Sequence, residues 1–271
     1  MIYAGNAGDR NDRGMPGAVA LGEQIADALG TGAEVVGTPA PVIAGGWLTQ
    51  LHAATPNLRL LSEAMAEGLR SGTAPILTMG RCAAGLATLP RIAQHYPDAV
   101  IVWFDAHGDS NVPVPGPSGD SAYLGGMVIT GAAGEWETGL GAGLDLANVV
   151  LVGARDLDLP ELARIAAGQI KLVPVSPDLP AQLSAHVEDR RVYIHLDCDV
   201  MAPGLLATEY QVTDGLSFAD LHAAFTVLAR QDVVGLEIAE FEASWPDGRP
   251  ASAGDLIAAI RSVTQKLQAS F

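Results

Sequence analysis

Short apolar runs recur along the chain, separated by longer stretches in which apolar residues return every third or fourth position. Strand-length runs alternating with helical periodicity are the pattern of a parallel sheet flanked by helices. About eight strand-type runs can be read, near residues 1–6, 33–37, 75–79, 99–104, 149–153, 171–174, 191–198 and 233–239. Helical periodicity falls between them, most clearly over 16–29, 58–70, 83–95, 218–229 and 251–267. The expected architecture is α/β: a three-layer α/β/α domain around a central, mostly parallel eight-stranded sheet. The 271 residues fit one such domain, 1–271, without requiring a second. Two Gly-, Pro- and Ser-rich stretches, 110–126 and 201–215, read as long loops that wall a site.

Two of the strand-type runs are distinguished by what ends them. The run 100–104 is apolar throughout and leads into Asp105, His107 and Asp109, while 191–196 leads into Asp197 and Asp199 with Cys198 between them. Side chains of a strand alternate between faces, so ligand residues at every second position point the same way, roughly 6 to 7 Å apart. An isolated D-x-H-x-D reads equally well as a loop whose carboxylates cap a helix or face water. A second acidic strand end shifts the balance, because like charges on one side of a core strand are unfavourable without a compensating cation. A pair of divalent cations bridged by Asp105 and Asp197 would supply it. Cys198, on the opposite face, is expected to pack in the core.

Composition narrows the class of function. Hydrophobic residues make up 49% and charged residues 17%, which fits a sizeable core and argues against disorder. Acidic residues outnumber basic ones 31 to 15, and no Lys/Arg block interrupts the excess, so neither nucleic acid nor an anionic membrane is an expected partner. Two cysteines, Cys82 and Cys198, and the absence of a charged-then-apolar leader point to the cytoplasm. No apolar run reaches the roughly 18 residues a membrane span requires.

The segment D-A-H-G-D-S-N at 105–111 and the D-C-D at 197–199 resemble the D-A-H-x-D and D-x-D motifs of the ureohydrolases, the family of arginase and agmatinase. The resemblance covers most of the chain and implies an arginase-like fold. Through it, residues 235–240 resemble the late strand that ends in the glutamate gripping a guanidinium, a role that falls on Glu240. The segment 152–161 resembles the part of arginase that holds the substrate's α-amino group, a role that falls on Asp158 and Glu161, and Asn111 matches the position that meets the α-carboxylate. The implied metal ligands are Cys82, Asp105, His107, Asp109, Asp197 and Asp199, with Asp109 also steadying the attacking water.

Three departures from the family pattern bear on chemistry. Where the family reads G-G-D-H-S, this chain reads M-G-R-C-A at 79–83, which puts Cys82 in a histidine's ligand position. A thiolate is softer than imidazole, so Mn²⁺, the family's usual ion, is expected to occupy that side weakly. The alternative is that Cys82 packs and binds nothing. The position of arginase's proton-shuttling histidine is Gly125, and Ala202 replaces a carboxylate that supports the metal site in the family. His195, two residues before Asp197, is expected to be a satisfied core histidine, with support of the metal site as the alternative. His52, His95, His186 and His222 read as surface or packing residues, and Trp103 and Phe104 as strand core.

The resemblance therefore implies a two-metal hydrolase of C–N bonds in linear amidines, acting on a guanidino amino acid. The Cys82 replacement and the missing histidine resemble the branch that cleaves Nω-hydroxy-L-arginine to hydroxyurea and L-ornithine in D-cycloserine biosynthesis. N-hydroxylation lowers guanidine basicity, so such a substrate needs less acid assistance at its leaving amine than arginine does. A conventional arginase or formimidoylglutamase is the alternative within enzymes, and a metal-free binding protein of the same fold the alternative outside them. A homo-oligomer is an expectation of the resemblance alone, since family members commonly form trimers or hexamers.

Overall fold

Val100, Val102 and Phe104 face one apolar layer while Ile101 and Trp103 face another, the two-residue period of a strand buried on both sides. The same alternation divides Val149 and Leu151 from Val150 and Val152, and Tyr193 from Val192, Ile194 and Leu196. In the computed structural model, which describes residues 1–114 and 123–269, these segments belong to one eight-stranded sheet. The strands are β1 (Ile2–Tyr3), β2 (Val35–Val36), β3 (Ile76–Thr78), β4 (Val100–Phe104), β5 (Val149–Val152), β6 (Lys171–Val173), β7 (Arg191–Asp197) and β8 (Asp232–Ala239). Their order is β2-β1-β3-β8-β7-β4-β5-β6, and every pairing between these strands is parallel, beyond the mostly parallel sheet expected.

Helices cover both faces: α1 (Gly14–Leu29), α2 (Trp47–Arg70), α3 (Gly85–His95), α4 (Val128–Ala133), α5 (Leu159–Ala166), α6 (Leu179–Val187), α7 (Phe218–Leu228) and α8 (Gly254–Gln268). Leu21 and Ile25 of α1, Leu183 of α6, Phe225 of α7 and Ile260 of α8 build one apolar layer. Leu58 and Leu61 of α2, Leu86 and Leu89 of α3 and Ile129 of α4 build the other. The boundary that differs most from the sequence reading is that of α2, which starts at Trp47 rather than at residue 58 and carries Pro56 inside it. Proline disfavours helix for the residue before it and lacks an N–H. The buried stripe Leu51, Ala54, Leu58, Leu61, Met65 nevertheless runs straight through that position, and packing of this stripe outweighs the local break.

A wholly parallel sheet brings the carboxyl ends of its strands to one edge, and β3, β8, β7, β4 and β5 are consecutive neighbours there. The loops that follow those strands meet above the middle of the sheet, where open α/β sheets bind ligands. Of the two expected wall loops, 201–215 is described throughout, while residues 115–122 of the other lie outside the described residues. Among the described residues, no helix is long and apolar enough to cross a membrane.

Candidate metal and substrate site

Asp105 follows the last residue of β4, and its carboxylate is held from below and from its own loop. Its Oδ2 accepts from Trp103 Nε1 at 3.0 Å and its Oδ1 from the His107 backbone N–H at 2.7 Å. His107 Nδ1 lies 3.2 Å from Asp105 Oδ1 and 3.2 Å from Asp199 Oδ2. At the end of β7, Asp197 Oδ1 accepts from the Asp199 N–H at 2.7 Å, and Asp199 Oδ1 accepts from the Ala106 N–H at 3.1 Å. The two acidic strand ends are thus joined through the Asp199 carboxylate, which meets the Ala106 N–H and the His107 ring. Potential ligand atoms gather into groups within 4.8 Å of one another: Asp105, His107 and Asp199; Cys82, Asp105 and Asp109; and Cys82, Asp197 and Glu240. Asp105 and Cys82 are each common to two of these groups, whereas Asp197, expected to bridge with Asp105, falls in one.

Cys82 enters from the turn after β3 and is fixed from two sides. Its thiol donates to Asp197 Oδ2 at 2.9 Å, and its Sγ lies 3.1 Å from His195 Nε2. Strand register places Trp103, His195 and Glu237 in one row across β4, β7 and β8. The His195 ring stacks on Trp103 at 3.4 Å, and its Nδ1 lies 2.7 Å from Glu237 Oε1. Glu237 Oε2 accepts from Tyr193 and Thr88. His195 is therefore both a satisfied core histidine and a neighbour of the candidate ligand. Cys198 lies in the opposite apolar layer, and Trp103, as well as filling the core, orients Asp105. His52, His95 and His222 are exposed and His186 half-buried, all on helices.

Glu240, the first residue beyond β8, takes a left-handed backbone conformation with φ 65°, and Asp109 does the same with φ 42°. Each such residue without glycine's freedom costs roughly 1–2 kcal/mol, so the local strain falls on two carboxylates of the site. Glu240 is not free: its Oε2 receives Arg81 Nη1 at 2.6 Å and its Oε1 the Cys82 N–H at 2.9 Å. Arg81 is wholly buried and also faces Glu242 at 3.1 Å, Glu209 at 3.1 Å and Asp9 at 3.3 Å. This cation and its cage of acids follow no period in the sequence, although Arg81 occupies the acidic position of the family's G-G-D-H-S. The charge reversal there was the available signal.

At the outer end of the cavity, Asn111 Nδ2 donates to Asp158 Oδ2 at 2.8 Å. Glu161, expected beside them at the substrate's amine, is buried with both oxygens engaged by the protein. Oε1 accepts from the Ser110 N–H at 3.0 Å and Oε2 from the Asp158 N–H at 3.0 Å, which ties α5 to the loop after β4. Asp158, Glu161 and Asn111 all line the cavity, together with Asp156, Tyr123, Tyr210 and Gly125. Its volume, about 630 Å³, suits an amino-acid-sized ligand.

The electrostatics fit divalent cations. Burial, reinforced by neighbouring carboxylates, pushes Asp109, Asp197 and Asp199 above the ordinary range. Burial and the Asp197 charge raise the Cys82 thiol, and burial carries Glu240 up to about 7 against the opposing pull of Arg81. Burial works against ionisation of Asp105 too, but His107 carries it below its usual value. His107, despite its own burial, is pushed up to about 12 by Asp105 and Asp199. Asp109 Oδ2 is buried with no hydrogen-bond partner among the described residues. A dense set of carboxylates with one imidazole, one thiol and an unpartnered oxygen suits divalent metal better than protons.

Residues 26–259 match the family model described as the arginase family. The chain is 35% identical over 243 residues, 90% of its length and 88% of the relative's, to N(omega)-hydroxy-L-arginine amidinohydrolase of Streptomyces lavendulae. It is 26% identical over 193 residues, 66% of this chain and 64% of the other, to an arginase of Staphylococcus aureus. Among solved structures, arginase from Bacillus subtilis superposes with a TM-score of 0.77 at 19% identity, covering 98% of this chain and 96% of the other. Proclavaminate amidinohydrolase of Streptomyces clavuligerus gives 0.69 at 18% identity, over 99% and 90% of the two chains.

Proposed function

The chain belongs to the arginase family, and on that premise we propose that this hydrolase uses two metal ions to cleave Nω-hydroxy-L-arginine into hydroxyurea and L-ornithine. The observation that carries the reading is the convergence of three ligand groups linked through Asp105 and Cys82, one of them including Glu240, in a cavity where position 125 is glycine and offers no acid. The similarity to the Streptomyces lavendulae enzyme supports the choice of substrate.

Two divalent ions, proposed to be Mn²⁺, would be held by Cys82, Asp105, His107, Asp109, Asp197 and Asp199, and when bound they lower the pKa of water so that it acts as a nucleophile near neutrality. Glu240 orients the guanidine head for attack at its central carbon. Its engagement by Arg81 and the Cys82 N–H fixes the carboxylate and leaves a weaker grip on a strongly basic guanidinium. Asp109, through its unpartnered Oδ2, accepts a hydrogen bond from the attacking water. Asn111 and Asp158 take the α-carboxylate and α-amino ends, while Glu161 holds Asp158 and the loop at Ser110 in place.

Leaving-group protonation is the step that receives no help from position 125, which is glycine. A less basic hydroxyguanidine needs less of that help than arginine. The resemblance to the hydroxyarginine branch extends the proposal to D-cycloserine biosynthesis as its setting. Incubation of the Mn²⁺-loaded protein with Nω-hydroxy-L-arginine, followed by detection of hydroxyurea and ornithine in equal amounts, tests the reaction. Absence of both products would refute it.

A further inference from the structure

Tyr123 stands on the cavity wall with Cys82, Asp197 and Glu240. Its ring is well held: the Arg10 guanidinium lies 4.1 Å over its centroid, and Tyr210 meets it edge-on at 6.3 Å while accepting from Arg10 Nη1 at 2.7 Å. The hydroxyl is not: it is buried and finds no hydrogen-bond partner among the described residues. Gly125 makes room for this arrangement. A Cβ at position 125 would lie 2.6 Å from Tyr123 Cε1, so the ring fills the space a side chain at 125 would need.

A buried hydroxyl left unpaired is costly, and a site that carries one favours a ligand able to complete it. Burial and the nearby Glu240 charge keep this phenol protonated, so its proton calls for an acceptor. A guanidinium carries donors and no acceptor, and Glu240 Oε1 and Oε2 already receive the Cys82 N–H and Arg81. The oxygen of an N-hydroxyl group is an acceptor at the guanidine head.

We propose that Tyr123 is a specificity-determining residue whose hydroxyl donates to the N-hydroxyl oxygen of the substrate, so that the pocket selects hydroxyguanidines over plain guanidines. This rests on the hydroxyarginine reading above.

Tyr123→Phe removes the hydroxyl and keeps the ring with its Arg10 and Tyr210 contacts. In the Mn²⁺-loaded protein, kcat/KM for Nω-hydroxy-L-arginine is expected to fall about 30-fold and that for L-arginine by less than about 3-fold. The thermal midpoint should stay level or rise, because an unpaired polar group has been removed. A wild type that prefers hydroxyarginine, with a Tyr123→Phe variant that keeps the preference, would overturn this inference alone. A proportionate loss on both substrates, or a lowered midpoint, would assign the hydroxyl a structural role and overturn it as well. Wild-type preference for L-arginine would overturn the functional reading and this inference with it.

Discussion

His195 Nε2 lies 3.1 Å from Cys82 Sγ while the other nitrogen of the same ring lies 2.7 Å from Glu237. The thiol is therefore held by a buried row that runs through three strands, and it is aimed at Asp197 rather than loosely packed. Such supporting contacts fix the orientation of a metal ligand and tune its affinity.

Replacing Cys82 by His restores the nitrogen ligand that the family carries at this position. Metal analysis of Cys82→His after equilibration with Mn²⁺ should give a higher metal-to-protein ratio than the wild type. An unchanged ratio would remove Cys82 from the ligand set.

Removing the nitrogens of His195 while keeping an aromatic ring on Trp103 isolates their contribution. His195→Phe should lower Mn²⁺ affinity about 10- to 100-fold and leave Glu237 with Tyr193 and Thr88 as hydrogen-bond donors. Isothermal titration with Mn²⁺ checks it, and wild-type affinity would show that the row is structural only.

Arg81 is the cation that lets Asp9, Glu240 and Glu242 share one buried volume. Arg81→Met leaves Asp9 and Glu240 without their cation, while Glu242 keeps Arg13 at 2.7 Å, and is expected to cost about 3–5 kcal/mol of stability, measured by urea denaturation. Arg81→Lys, which keeps the charge, should cost less. Equal stability of all three proteins would contradict the cage.

On the proposed reading Asp158 meets the substrate and Glu161 holds its surroundings in place. Glu161→Gln weakens the hydrogen bonds to Ser110 and Asp158 N–H, and its expected effect is a loss of about 1–2 kcal/mol with KM little changed. Asp158→Asn should raise KM for the amino-acid substrate with little loss of stability. Thermal melts alongside steady-state kinetics separate the two, and the opposite pattern would exchange their roles.

The central strands β4, β5, β7 and β8 were readable because strands buried on both faces are nearly uninterrupted apolar runs, and the candidate ligands because acidic residues stand directly beyond two of them. Of these ligands only Asp197 lies in a strand, since Asp105, His107 and Asp109 follow β4 and Asp199 sits in a 3-10 turn. It is the turns after the strands rather than strand alternation that gather them. The start of α2 was hidden by Pro56, whose local preference conflicts with a stripe that packing enforces. Arg81, Asp9, Glu209 and Glu242 come from four separate segments and share no period, so only the folded sheet edge brings them together. Tyr123 likewise carries no pattern of its own; its place depends on the space that Gly125 leaves.

The most direct test of the central claim is kcat/KM of the Mn²⁺-loaded wild type for Nω-hydroxy-L-arginine and for L-arginine, measured side by side. A preference for hydroxyarginine of at least about tenfold, roughly 1.4 kcal/mol of differential transition-state binding, is predicted. Equal values, or a preference for arginine, would contradict it.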